Sequence, residues 1–196
     1  GADMPDLNYN NPEVRQAAKD AAGHWLELGL DGFRMDAAVH IYGAHEFKQQ
    51  EDSEAANITW WNEFAGYCES INPDVYLVGE VWQDDKVLEN YVQPFDTKFD
   101  FAIQQKILNC VQKGMAVPGF GDSLSVAIEN IQNKYDGVDA NYLNGIFGAN
   151  HDQDRIASSV NSLDKARQIA VVYMTLPGNP YIYYGEELGM YGSKPD

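Results

Sequence analysis

Three times along 196 residues the same order returns: a helical stretch with apolar positions at three- and four-residue steps, a Pro, Gly or Asn break, and a short apolar run suited to a buried strand. The first helix opens with Asn11 as cap, Pro12 at the first helical position and Glu13 at the positive end of the dipole. Val14, Ala17, Ala18, Ala21, Trp25 and Leu28 give it one apolar face, Gly29 stops it, and a strand follows over Gly32 to Ala37. The second unit runs from Ser53 to Ile71, with Ala56, Trp60, Phe64 and Tyr67 on one side, breaks at Asn72 to Asp74 and continues as the strand Val75 to Val81. The third is helical from Asp164 to Leu176, breaks at Pro177 to Pro180 and ends in the strand Tyr181 to Glu187. Between them lie a weaker strand at Lys98 to Ala102, a helix at Ser123 to Lys134 and the strand Gly145 to Asn150. Helices followed at once by strands imply parallel strands joined by crossover helices, hence an α/β fold. Five strands do not close a barrel of eight, so the sheet is either open or about five of the eight β/α units of something larger.

Charged residues enter this pattern at particular places. The stretch "GFRMDAAVHI" puts Arg34, Asp36 and His40 onto or just after an apolar strand. Glu80 follows "YLVG" and Asp152 follows "GIFGANH" in the same way. Parallel α/β folds bind ligands beyond the carboxyl ends of their strands, so three carboxylates on three such ends are expected to converge. Arg34 and Asp36 are two apart, which on a strand puts both side chains on one face. Cleavage of a sugar acetal needs one carboxyl group to protonate the leaving oxygen and another to attack or to activate water. An Arg beside the attacking carboxylate holds it in its charged form and aims it. Each residue also has a plainer reading: an Asp at a strand end as a helix cap, His40 or His151 as structural groups, Trp60 and Trp61 as core, and Glu186 with Glu187 as a solvated pair.

Composition narrows the partners. Thirty acidic against thirteen basic residues give a formal net charge of -17, which repels phosphate backbones and argues against nucleic acid. The longest apolar run, Ile169 to Met174, is far shorter than a membrane span, so a soluble chain with no membrane partner is expected. Cys68 and Cys110 have neither a metal-site spacing nor a disulfide framework and read as core residues. "GADMPDLN" has neither a basic nor an apolar leader segment. The compartment stays open, extracellular and periplasmic sites included.

As an ordered set these stretches resemble the motifs of the alpha-amylase family of glycoside hydrolases. "GFRMDAAVH" resembles the nucleophile strand, which implies Asp36 as nucleophile, Arg34 as its companion and His40 near substrate. "GEVW" is similar to the acid/base strand, implying Glu80 as proton donor with Trp82 beside the substrate. "NHDQDR" resembles the third motif, with His151 and Arg155 on the sugar and Asp152 stabilising the transition state. "MPDLN" resembles the segment before the nucleophile helix, and "PGNPYIYYGEELGM" the final barrel strand. The resemblance implies a partial TIM barrel, residues 1–196 being the C-terminal part of a (β/α)8 catalytic domain without its first three strands, the small inserted domain or any C-terminal domain. It implies a retaining hydrolase of alpha-linked glucans, the fragment alone being inactive and its open barrel edges inviting self-association. Calcium in the complete enzyme is also implied, with the backbone carbonyl of His40 as the ligand this chain offers. The same carboxylates serve transglycosylases and alpha-glucosidases, and a non-catalytic carbohydrate-binding relative shares the fold. An unrelated α/β binding module would need a phosphate-cradling loop, for which "GFGDSLS" (Gly119 to Ser125) is the nearest stretch.

Overall fold

The computed structural model describes residues 6–43, 50–83, 85–113 and 123–194; Met4 and Pro5 of "MPDLN" and residues 119–122 of "GFGDSLS" lie outside them. The chain divides into two compact units, one comprising the chain to Trp82 with Asn90–Lys98, the other Gln83–Glu89 with the chain from Phe99 onward.

The first unit contains helix α1 (Pro12–Glu27), strand β1 (Gly32–Met35), helix α2 (Gln50–Ile71), and strands β2 (Tyr76–Gly79) and β3 (Thr97–Lys98). The strands form one parallel sheet in the order β1-β2-β3. The Asn11 side chain accepts from the Glu13 amide at 2.9 Å, and Gly29, at φ +96°, ends the α1 segment. The buried stripe of α1 is not the one its large apolar residues suggest. Ala22, Gly23 and Leu26 are buried, whereas Trp25 and Leu28 are exposed. The reason is steric: bare Gly23 lets α1 approach α2 so closely that a Cβ there would lie 2.7 Å from the Tyr67 hydroxyl oxygen and 3.1 Å from Ile71. Arg15 and Lys19 of α1 then both reach Glu63 of α2, at 3.3 and 2.8 Å. On its other side α2 presents Trp60, Trp61 and Phe64, which stack edgewise or tilted on one another, on Phe33 of β1 and on Phe95. Cys68 joins this core, and its burial pushes the thiol up to about 11.

The second unit contains α3 (Asp85–Leu88), α4 (Phe101–Lys113), α5 (Leu124–Asp136), strand β4 (Gly145–Phe147), α6 (Ile156–Val160), α7 (Leu163–Thr175) and strand β5 (Asn179–Tyr181), with β4 and β5 paired in parallel. The strand expected at Lys98 to Ala102 ends at Lys98, and α4 begins at Phe101. Asp100 makes the switch: its carboxylate accepts from the Ile103 amide at 2.8 Å and its carbonyl from the Gln104 amide at 3.0 Å, which caps the helix. Asn144 and Tyr135 hold the other carboxylate oxygen, so this buried charge is fully engaged. The final strand starts at Asn179 rather than Tyr181 and stops at Tyr181, because Gly185 (φ +85°) and Gly189 (φ +66°) bend the chain into turns closed by Met190 N to Gly185 O at 3.0 Å. Among the described residues all the strand pairings are parallel, as the helix-then-strand order requires. No helix among the described residues is long and apolar enough to cross a membrane.

The β1–β2 pairing depends on a residue with no side chain. A Cβ at Gly32 would sit 1.9 Å from the Tyr76 carbonyl oxygen, a backbone atom that cannot step aside. Gly32→Ala is therefore expected to lower stability by about 1–3 kcal/mol, read as a lower urea midpoint at unchanged slope.

Candidate active site

Met35 pairs with Gly79, so the next residues, Asp36 and Glu80, emerge side by side from adjacent strands. Parallel neighbours lie about 4.8 Å apart, so the two carboxylates start one strand spacing from each other. The ladder runs past the strands: Glu80 N donates to Met35 O at 2.9 Å and Ala38 N to Glu80 O at 3.0 Å. Arg34 stands on the same face as Asp36. One nitrogen of its guanidinium contacts Asp36 Oδ1 and the other lies 2.7 Å from Glu80 Oε1, so a single cation spans both acids. The sequence assigned Arg34 to Asp36 alone; the shared geometry follows from the in-register strands. The acids differ in access, the Asp36 side chain being 76% exposed and that of Glu80 10%. Glu80 Oε2 accepts from the Ala37 amide at 3.0 Å.

The turn after Asp36 is held by α2 through main-chain atoms. Ala37 is left-handed (φ +46°) and leads into a 3-10 turn at Ala38–His40. The Trp61 indole donates to Ala38 O at 2.7 Å. Asn57 donates to Val39 O at 2.9 Å and accepts from Tyr42 N at 2.8 Å, and the Ser53 hydroxyl donates to Tyr42 O. None of Ser53, Asn57 and Trp61 was singled out for the site from sequence, where Trp61 reads as core. The usable signal was a polar pair, Ser53 and Asn57, on the buried side of an aromatic helix. His40 is exposed, with its amide on Ala37 O at 2.8 Å, and Trp82 is 50% exposed two residues beyond Glu80.

A calcium ion takes six to eight oxygen ligands. Among the described residues no three His, Cys, Asp or Glu side chains gather as a metal site, and the His40 carbonyl alone is one donor. The described donor set does not fit the ion, and calcium enters no step below.

In the second unit, Asp152 follows β4 in a turn closed by its own amide on Asn150 Oδ1 at 3.0 Å. His151 Nε2 lies 3.1 Å from Asp152 Oδ2, both side chains being open to solvent. The Gln104 side chain fixes the end of β4 by donating to Gly148 O at 2.7 Å. Arg155, expected on the sugar, is directed to the turn after β5: it donates to Tyr184 O at 2.6 Å and lies 4.7 and 4.6 Å from the ring centres of Tyr183 and Tyr184.

The alpha-amylase catalytic-domain model matches residues 1–195. The chain belongs to the alpha-amylase family. It is 42% identical over 198 residues to Alpha-amylase 3 of Dictyoglomus thermophilum, the match covering 100% of this chain and 36% of that protein. It is 35% identical over 190 residues to the 4-alpha-glucanotransferase of Thermotoga neapolitana, covering 96% of this chain and 38% of the relative. The solved alpha-amylase of H. orenii superposes with a TM-score of 0.83 at 39% identity, covering 98% of this chain and 38% of that one. The chain thus spans less than two-fifths of the length of these relatives. Its parallel strands and crossover helices are a segment of the TIM barrel of alpha-amylase catalytic domains.

One acidic residue departs from its expected surface role. Glu187 is exposed, but Glu186 is half-buried at the edge of a cavity of about 330 Å³ lined by apolar side chains that include Ile156, Leu163 and Met174. Its Oε2 accepts from the Tyr173 hydroxyl at 2.9 Å, and its Oε1 is buried without a hydrogen bond of ordinary geometry. Loss of hydration pushes the Glu186 carboxyl up to about 7, against the opposing pull of Tyr173, the amides of Tyr183 and Ala149, and the Arg155 charge. A carboxyl raised on folding binds its proton more tightly in the native state. Its contribution to stability is therefore full below about 4.5, the ordinary value, and is lost as pH rises through about 7. Glu186→Gln keeps an acceptor for Tyr173 without the charge. Melting curves across pH 4.5 to 8 are expected to show a flatter pH dependence for this variant and higher stability than the parent above pH 7.

Proposed function

We propose that the protein carrying this chain is a retaining glycoside hydrolase acting on alpha-linked glucans such as starch or maltooligosaccharides. The observation that carries the reading is the pair of carboxylates on adjacent in-register strand ends joined by one guanidinium. Retaining chemistry wants two carboxyl groups about 5 to 5.5 Å apart, close to one strand spacing. In this reading the exposed Asp36 attacks the anomeric carbon while the sheltered Glu80 protonates the departing oxygen. Glu80 then takes a proton from water as it attacks the glycosyl ester, restoring free Asp36. Asp152 stabilises the positive charge at the anomeric carbon, and His151, His40 and Trp82 contact the sugar. Arg155 acts at one remove, by shaping the turn at Tyr183 and Tyr184.

Glucanosyl transfer is the second reading, supported by the similarity to a 4-alpha-glucanotransferase. It uses the same two carboxylates and differs in the acceptor of the second step.

Release of reducing sugar from soluble starch and pullulan by the complete protein is expected, and to fall by about a thousandfold or more in Asp36→Asn. Unchanged activity in that variant would remove Asp36 as nucleophile. Products longer than an added maltooligosaccharide would select transfer over hydrolysis. The exposed side chains of Ile182, Tyr184 and Leu188 support self-association of the 196-residue chain by itself. Light scattering is expected to give a mass above that of the monomer; a single monomeric peak would contradict it.

A further inference from the structure

We propose that Ala37, through its main-chain amide, is the positioning residue for the proton donor and fixes which oxygen of Glu80 carries the catalytic proton. The inference rests on Glu80 being the acid/base of the reading above.

Among the described residues two donors reach the Glu80 carboxylate, and they differ in kind. Oε2 accepts from Ala37 N at 3.0 Å, and Oε1 faces Arg34 Nη2 at 2.7 Å. The Arg34 side chain is 30% exposed and divided between two acids. The Ala37 amide belongs to a backbone that cannot turn away. Its residue sits in a left-handed conformation, costly for any side chain but glycine's, so the surroundings must hold it there. They do so on both flanks: Ala38 N donates to Glu80 O, and the Trp61 indole and the Asn57 amide grip the next two carbonyls. The left-handed turn thereby directs two successive amides at Glu80, one to its carboxylate and one to its carbonyl.

A protonated carboxyl group has one O–H donor and keeps acceptor capacity on its other oxygen. An N–H fixed on Oε2 leaves that oxygen as the acceptor in both charge states, so the proton resides on Oε1. Oε1 is also the oxygen that the movable guanidinium occupies in the ionised enzyme. The cycle then balances. In the step that starts the cycle, Arg34 stays with Asp36 and leaves Oε1, which takes up a proton from solvent. The Oε1–H bond breaks as its proton passes to the glycosidic oxygen, the bond from that oxygen to the anomeric carbon breaks, and Asp36 forms the ester. In the second half the water oxygen bonds to the anomeric carbon as Oε1 takes a proton from that water, the ester bond to Asp36 breaks, and the starting state returns. Throughout, the Ala37 amide holds Oε2 and so the plane of the carboxyl group.

The test replaces the Ala37 amide by an ester in the complete protein, by incorporating lactate at position 37, which removes the N–H and keeps the methyl group. Two substrates are compared: a maltooligosaccharide, whose leaving oxygen needs a proton, and alpha-maltosyl fluoride, whose leaving group does not. The ester is expected to lower kcat on the maltooligosaccharide about ten- to a hundredfold with little change in KM, as for loss of one hydrogen bond to a charged group. Fluoride hydrolysis is expected to stay within about threefold of the parent, which also reports that the protein is folded. Equal losses on both substrates, or no loss on either, would overturn the proposal. Glu80→Gln is run alongside: if it hydrolyses the maltooligosaccharide like the parent, the acid assignment itself fails, a result distinct from failure of the ester arm.

Discussion

The in-register parallel pairing of β1 and β2 is the constraint from which the site follows. Because Met35 faces Gly79, whatever comes next on each strand must come next to its counterpart. Asp36 and Glu80 are those residues. Two acids brought so near would repel one another, and the sequence answers with Arg34 two positions earlier on the same strand face. The pairing in turn rests on Gly32, whose missing side chain lets the strands meet at all. A short chain of causes thus leads from one glycine to the relative placement of Asp36 and Glu80.

The same pair shows how one backbone makes two carboxylates unlike. Asp36 ends at solvent, and Glu80 is enclosed by Ala37, Ala38 and Arg34. Nothing in the chemistry of Asp against Glu requires that division. It arises because the chain turns sharply after Asp36, through a left-handed Ala37, and lays that turn over Glu80. The aromatic face of α2 keeps the turn closed from behind.

Much of this could be read from the sequence because it is written in local, periodic terms. The Asn11 cap, the helix-then-strand order and the placing of Asp36, Glu80 and Asp152 just past strands are decided by neighbours within a few residues. What could not be read depends on which surface meets which. The large residues of α1 suggested one face, and Gly23 buried another by admitting α2. Asp100 looked like part of a strand, whereas it caps α4 locally through Ile103 and Gln104 while Asn144 and Tyr135, distant in sequence, hold its other oxygen. Glu186 looked solvated because the turns at Gly185 and Gly189, which fold it back against Tyr173, leave no periodic trace. Arg155 carried a motif position, yet its cation is committed to two rings and a carbonyl nearly thirty residues on.

The loop after Asp36 is gripped largely by its main chain: the Ala37 and Ala38 amides by Glu80, and the Ala38, Val39 and Tyr42 carbonyls by α2. Those grips do not read the side chains they hold. His40, the exposed side chain among the described residues of this loop, is therefore open to substitution while the carboxylates behind it keep their places. A chain built in this way can change the surface beside Asp36 and Glu80 without moving either carboxylate.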